Sequence, residues 1–257
     1  MSDLFRLDGK AAIVTGSTRG IGRSIAEALT GAGAHVLVSS EDDADTARAA
    51  AELGMPGMAC DVADDVALAR LVAAAIGHFG RLDVLVCNAG ITGRHGPFAD
   101  VDMDDYARVM AINLRSQVVL ANLALPHIAE AKDDGAAGGS VVLIASIAGL
   151  RGNGKINAYA LAKAGVAQLA RNLAVEWGPR GVRANAISPG FIATDLAAPL
   201  LADETFLARR MAMTPLRRAG TPAEIGAAAL FLASPAGGFV SGHNLVVDGG
   251  TLITDGS

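Results

Sequence analysis

The chain has 257 residues, a length that suits one large domain or two small ones and is ample to bury a core. Hydrophobic residues at 51% against 18% charged exclude disorder for the bulk of the chain, and 4% aromatics require an aliphatic core. A net charge of −5 excludes a general nucleic-acid coat, two cysteines support neither a disulfide framework nor a cysteine metal site, and five scattered histidines lack the i,i+4 pairing of a zinc helix.

Residues 1–10 carry acids and no apolar stretch, so no signal peptide is expected there. No apolar run reaches the roughly 18 residues of a membrane span, and the expectation is a soluble protein in a reducing cytoplasm. Residues 11–15 (AAIVT) read as a buried strand, 20–30 as a helix ended by Gly31 and Gly33, and 35–39 (HVLVS) as a second strand. A helix over 44–53, a short third strand over 57–60 and a helix over 64–79 follow. Residues 82–87 (LDVLVC) form a fourth strand. Residues 103–130 read as one long helix with Asp102 as its cap. The remaining elements are a strand over 141–145 (VVLIA), a helix over 158–177 stopped by Gly178-Pro179, and strands over 182–187 and 245–247.

Uninterrupted Val/Ile/Leu strands separated by helices predict a parallel sheet covered on both faces, joined by right-handed crossovers. The expected fold class is α/β, a single doubly wound Rossmann-type domain over 1–257 with about seven strands. Residues 133–139 are a polar connection too short to divide domains. Residues 91–101 and 191–215 interrupt the alternation after strand ends, where open α/β sheets bind ligands, and 191–215 is a candidate substrate lid. Its apolar residues, Leu196, Leu200, Leu201, Phe206, Leu207, Met211 and Met213, also suit a helix packed on the body or on a neighbouring subunit.

The first strand runs into Thr15-Gly16-Ser17-Thr18-Arg19-Gly20-Ile21-Gly22. Glycines at a strand-to-helix turn let backbone approach a pyrophosphate, and the helix N-terminus offers N–H groups and partial positive charge. Tyr159 and Lys163 stand i,i+4 on one helix face. A neighbouring ammonium lowers a phenol's pKa, which suits Tyr159 to exchange a proton with a substrate hydroxyl or carbonyl. Ser146 ends a buried strand, where in isolation a serine is more often a turn or cap residue. Asn113 sits mid-helix against its propensity, and the plain alternative is a core amide satisfying backbone.

The spacing T-G-x-x-x-G-x-G, then Asn88-Ala89-Gly90, Asn113, Ser146, Tyr159-x-x-x-Lys163, Pro189-Gly190, Thr194 and VVDGG over 246–250, resembles the short-chain dehydrogenase/reductase superfamily along essentially the whole chain. It looks especially like bacterial 3-oxoacyl carrier-protein reductases and related sugar and alcohol dehydrogenases. The resemblance implies hydride transfer between a nicotinamide cofactor and a secondary alcohol or ketone, with no metal. Asn113, Ser146, Tyr159 and Lys163 are then catalytic, with Asn113 holding a water in a proton relay and Lys163 also holding ribose hydroxyls. Gly16, Thr18, Arg19, Gly20, Ile21, Gly22, Asn88, Ala89, Gly90, Pro189, Gly190, Ile192 and Thr194 bind the cofactor, as do Ser40, Glu41 and Tyr159. Asp61 and Val62 resemble the family's adenine-contacting pair, though Asp61 also suits a cap for the helix near Asp64. Cys87 replaces the Asn that carrier-protein reductases carry before Asn-Ala-Gly and is expected to be an inert buried thiol.

Residues 39–43 (SSEDD) place three acids where a 2′-phosphate would lie, and like charges about 4 Å apart cost about 1 kcal/mol even in water. NAD is therefore expected, with NADP the alternative through Arg19. A homotetramer with helices 103–130 and 158–177 at an interface is implied by the resemblance. An NADPH-dependent 3-oxoacyl-type reductase is the nearest alternative, and a dinucleotide-sensing regulator the non-enzymatic one. Such sensors typically lose the Tyr–Lys pair, and enoyl reductases of the superfamily space it more widely. Arg94, His95, Arg151, Asn153 and Lys155 lie in loops near the expected mouth, where they suit a polar or anionic group or simply solvate.

Overall fold

A computed structural model describes residues 3–131 and 138–254. Six parallel strands form one sheet: β1 (Ala11–Thr15), β2 (His35–Ser39), β3 (Val84–Cys87), β4 (Gly139–Ile144), β5 (Val182–Pro189) and β6 (Asn244–Val247), in the order β2-β1-β3-β4-β5-β6. Nine α-helices are described: α1 (Gly20–Gly31), α2 (Asp43–Leu53), α3 (Asp65–Phe79), α4 (Met103–Met110), α5 (Ser116–Glu130), α6 (Asn157–Trp177), α7 (Ala198–Leu201), α8 (Glu204–Ala212) and α9 (Pro222–Ala233).

The period-two geometry of a strand explains how one sheet feeds two cores. Ile13, Leu37, Leu85, Val141 and Leu143 face α3, α5 and α6, where Leu68, Leu71, Leu120, Leu125 and Val166 are buried. Val14, Val36, Val86, Val142 and Ile144 face α1 and α9, against Ile25, Leu29, Ile225 and Leu232. Both faces are dry, which is why these strands read as unbroken aliphatic runs. The cation Arg183 is also buried, its guanidinium donating to the carbonyls of Leu232 (2.6 Å) and Gly237 (2.9 Å) at the end of α9.

Among the described residues the sheet has six strands, not about seven. Segment 57–60 runs along the outer edge of β2 with Met58 N–H donating to Val38 O and Cys60 N–H to Ser40 O, but the pairing amounts to one isolated bridge at Gly57. A Cβ at Gly57 would lie 2.8 Å from the Ala50 side chain, so the close approach of α2 at this bridge requires glycine. The expected helix over 103–130 is continuous but not uniform, because α4 and α5 are joined by a π-helical turn, Ala111–Arg115. It starts as expected at Asp102, whose carboxylate accepts from the N–H groups of Asp104 and Asp105. Among the described residues this is the one rod long and apolar enough to cross a membrane; here it packs on α3, α6, β3 and β4 as a core element. The polar connection read at 133–139 falls largely outside the described residues.

The sheet order reverses between β1 and β3: from β1 the chain moves outward to β2, then returns to the other side. A crevice therefore opens beyond the carboxyl ends of β1 and β3, where this architecture receives ligands.

Candidate active site

The Gly-rich turn leaves β1 and enters α1. Gly16 and Gly20 have φ of +63° and +55°, the left-handed region that glycine adopts without strain. Ser17 ties the turn to the end of β2, its N–H donating to Ser39 O and its hydroxyl accepting from Ser39 N–H, both at 2.9 Å. No side chain caps α1, whereas α2, α3, α8 and α9 are capped by Asp42, Asp64, Asp203 and Thr221. The first N–H groups of α1 thus keep their capacity to meet an anion. Arg19 is exposed at the N-cap position, Thr18 is half-buried, and Ile21 packs on the α1–α9 core.

Thr15 is a residue that sequence reasoning passed over as a mere member of the motif. Its hydroxyl accepts from the N–H groups of Asn88 (3.0 Å) and Ala89 (3.1 Å), which pins the loop after β3 against the turn. Asn88 answers by donating to the carbonyls of Thr15 and Gly16. Gly90 follows, and a Cβ there would lie 3.0 Å from Asn113 Oδ1 and 3.6 Å from Lys163 Nζ. The loop therefore leads from the turn to the next cluster.

That cluster joins β4, α6 and the π turn. Lys163 is buried; its amine donates to Ile144 O at 2.7 Å and lies 5.6 Å from the centroid of the Tyr159 ring. Ser146, just beyond β4, accepts from Ala148 N–H and lies within hydrogen-bonding reach of the Tyr159 phenol. Asn113 is fully buried in the π turn, a feature that recurs at functional sites. Its side chain accepts from Ile91 N–H (2.8 Å) and donates to Ile91 O (2.7 Å), so the plain core-amide reading describes its local bonding. The Asn113 carbonyl accepts from the side chain of Gln117 at 3.0 Å.

The electrostatics differ from the sequence expectation. Burial pushes the Tyr159 phenol above its ordinary value, and the Ser146 hydroxyl acts in the opposite direction. Burial also pushes the Lys163 ammonium down to about 8. The Lys163 amine donates to a main-chain carbonyl, and desolvation is the dominant influence on the phenol.

The other expected residues fall around this centre. Gly190 N–H donates to Val247 O and Pro189 pairs with Val247 in the sheet; Ile192 is buried beside Gly220, and Thr194 lies against Gly20. At the end of β2, Ser40 is half-buried and Glu41 exposed, while Asp42 is committed to capping α2. Asp61 accepts from Ala63 N–H in a local turn, and Asp64 is the cap of α3, so the capping alternative for Asp61 is corrected. Val62 packs on the α3–α5 core. Burial pushes the Cys87 thiol up to about 12 and the Cys60 thiol up to about 11, which leaves both protonated. Among the described residues no group of His, Cys, Asp and Glu is arranged to hold a metal ion.

Comparison with known proteins follows the same lines. A family model described as enoyl-(acyl carrier protein) reductase matches residues 16–251. The chain is 40% identical over 255 residues to 7alpha-hydroxysteroid dehydrogenase of Escherichia coli (strain K12), covering 97% of this chain and 96% of that protein. A crystal structure of a 7 alpha-hydroxysteroid dehydrogenase complexed with NADH and 7-oxo glycochenodeoxycholic acid is 38% identical with a TM-score of 0.88, covering 97% of each chain. A gluconate 5-dehydrogenase from Burkholderia cenocepacia J2315, in complex with NADP and tartrate, is 32% identical with a TM-score of 0.91, covering 98% of each. With its sheet order, glycine spacing and Tyr–Lys helix, the chain belongs to the short-chain dehydrogenase/reductase superfamily, NAD(P)-dependent oxidoreductases of CH–OH groups.

Proposed function

We propose that this protein interconverts a small secondary alcohol and the corresponding ketone, with Tyr159 as the general acid and base. The observation that carries the reading is the phenol of Tyr159 held beside the Ser146 hydroxyl and above the Lys163 amine on one wall. Ser146 donates to the substrate oxygen and holds it at the phenol. Lys163 anchors ribose hydroxyls, and Asn113 fixes the Ile91 segment that floors the site. A nicotinamide dinucleotide supplies the hydride acceptor or donor, and the uncapped α1 N-terminus behind left-handed Gly16 and Gly20 fits its pyrophosphate. Thr18, Arg19, Ile21, Gly22, Asn88, Ala89, Gly90, Asp61, Val62, Pro189, Gly190, Ile192 and Thr194 complete its cradle. The four-residue step from Tyr159 to Lys163 assigns carbonyl rather than enoyl reduction, and the retained pair argues against a pure sensor.

The preferred cofactor is NAD. Glu41, Asp42 and Asp43 are all exposed where a 2′-phosphate would approach, against the exposed cation Arg19 in the Gly-rich turn. Parallel fluorescence titrations with NADH and NADPH test this, and NADH is expected to bind more tightly. Tighter NADPH binding would give the selection to Arg19 and favour a biosynthetic reductase. Binding of neither would remove the enzyme reading.

The segment over 191–215 acts as the lid. None of the described side chains of α7 or α8 is buried, and Phe191 meets Phe206 edge-on at 5.8 Å. We place the protein in the cytoplasm, a setting that its two free, buried cysteines support. It assembles as a homotetramer through the α4–α5 and α6 rods, a reading supported by Met103, Val118, Leu161 and Val175, large apolar side chains 66%, 37%, 50% and 80% exposed. Sedimentation at micromolar concentration should give four chains per particle, and a monomer would refute the assembly.

A further inference from the structure

Two arginines beyond the carboxyl ends of β4 and β5, Arg151 and Arg210, have no ion-pair partner among the described residues. Arg210, on α8, lies with its guanidinium 5.9 Å from the centroid of the Phe191 ring, two residues beyond the end of β5. Its Nε is fully buried and has no hydrogen-bond partner among the described residues. Its other neighbours include Arg151, five residues beyond Ser146, whose positive charge opposes its own; Asp248 offsets part of this. Neither arginine forms an ion pair with a described residue, and the Asp248 carboxylate is engaged by the N–H groups of Gly250 (2.8 Å) and Leu252 (2.7 Å).

Several other polar groups of the mouth are committed elsewhere. Arg94 pairs with Asp102 at 2.6 Å, and Arg218 pairs with Glu224. Arg217 donates to the Ala212 carbonyl. Asn153 Oδ1 accepts from the N–H groups of Lys155 and Ile156, and Asn157 holds Gly96 O. A half-buried guanidinium with an orphaned N–H, in the field of a second arginine, is costly unless an anion offsets it. The two Nη atoms of Arg210 are not buried in this way and have no hydrogen-bond partner among the described residues, so the outer edge of the guanidinium is the one open to a carboxylate fork, with the Phe191 ring beside it limiting the directions it can take.

We infer that Arg210, assisted by Arg151, binds a carboxylate on the substrate, so that the alcohol is a hydroxy acid and the ketone an oxo acid. This rests on the dehydrogenase reading above and names the chemistry of the end remote from the reacting carbon. The site forms only where α8 folds over Phe191, so carboxylate capture also draws the lid onto the substrate.

The test is initial-rate kinetics on 4-oxopentanoate, 6-oxoheptanoate and 4-oxocyclohexanecarboxylate, each against its methyl ester, with cyclohexanone as a neutral control and NADH or NADPH as reductant. At least one acid should exceed its ester by about 10-fold or more in kcat/KM, the scale of a charge-assisted hydrogen bond. Arg210→Gln should raise KM for that acid about 30-fold more than for its ester, and Arg210→Lys should recover part of the loss. Arg151→Gln should show the same split at smaller amplitude, and serves if Arg210→Gln does not fold. Esters matching their acids, or equal losses on acid and ester in both variants, would overturn the carboxylate site. Turnover of cyclohexanone without turnover of any acid would remove the carboxylate site and keep the dehydrogenase. No turnover of any ketone would remove both.

Discussion

Replacing Tyr159 with Phe is expected to lower kcat/KM on the order of 1,000-fold, the usual worth of a positioned general acid or base, while NADH affinity stays within about 3-fold. Phe preserves the ring that stands over Lys163 and removes only the hydroxyl beside Ser146. The pH profile separates loss of a proton donor from loss of packing. Burial holds the phenol above its ordinary value, so at neutral pH the proton is present. Ketone reduction uses that proton, and its kcat/KM should stay level across neutral pH and fall on the alkaline side. Alcohol oxidation needs the phenolate, so its kcat/KM should climb with pH from neutral into the alkaline range. The Lys163 ammonium, pushed down to about 8, titrates within that climb in the free enzyme, which is the state kcat/KM reports. In Tyr159→Phe the part of the profile due to the phenol should vanish. Near-wild-type turnover in the variant would sink the assignment of Tyr159.

How much of this was readable from residues alone follows from what each feature depends on. The strands were legible because a sheet dry on both faces needs short, continuous aliphatic runs such as AAIVT and VVLIA set between turn signals. The edge segment 57–60 was not, since a run of four residues that pairs with β2 at a single bridge carries the same residue types as a short strand. The rod over 103–130 was legible as a helix, but its π turn was not. Its one trace was Asn113, a poor helix former at the place where the turn widens. Tyr159, Lys163 and Ser146 were legible because spacing fixes helix faces and strand ends. The direction of the Tyr159 shift was not, because it depends on how deeply the fold buries the phenol. Arg210 left no sequence signal, since it meets Phe191 and the charge of Arg151 only after the lid has folded back.

Gly22→Ala should abolish practical nucleotide binding, with affinity falling on the order of 100-fold, and should also destabilise the fold. A Cβ at this position would sit 2.1 Å from Gly16 O and 2.4 Å from Asn88 Nδ2. The first contact is main chain and the second is the amide that donates to the Thr15 and Gly16 carbonyls, so neither can swing aside. Relief requires α1 to move away from the turn, which spreads the N–H groups that face a phosphate and breaks the tie between β1 and the loop after β3. Overpacking of this kind costs about 1–3 kcal/mol, which for a chain of this length lowers Tm by roughly 3–10 °C. Gly31, at the other end of the same helix, is the matched control. It has no neighbour within 4 Å of a built Cβ and does not adopt a positive φ. Gly31→Ala should leave nucleotide binding unchanged and shift stability by less than about 1 kcal/mol, on the favourable side. Calorimetry and NADH titration of the two variants distinguish a general penalty for alanine in α1 from the close approach at Gly22. Equal behaviour of the pair would show that the Gly16–Gly22 contact does not shape the nucleotide site.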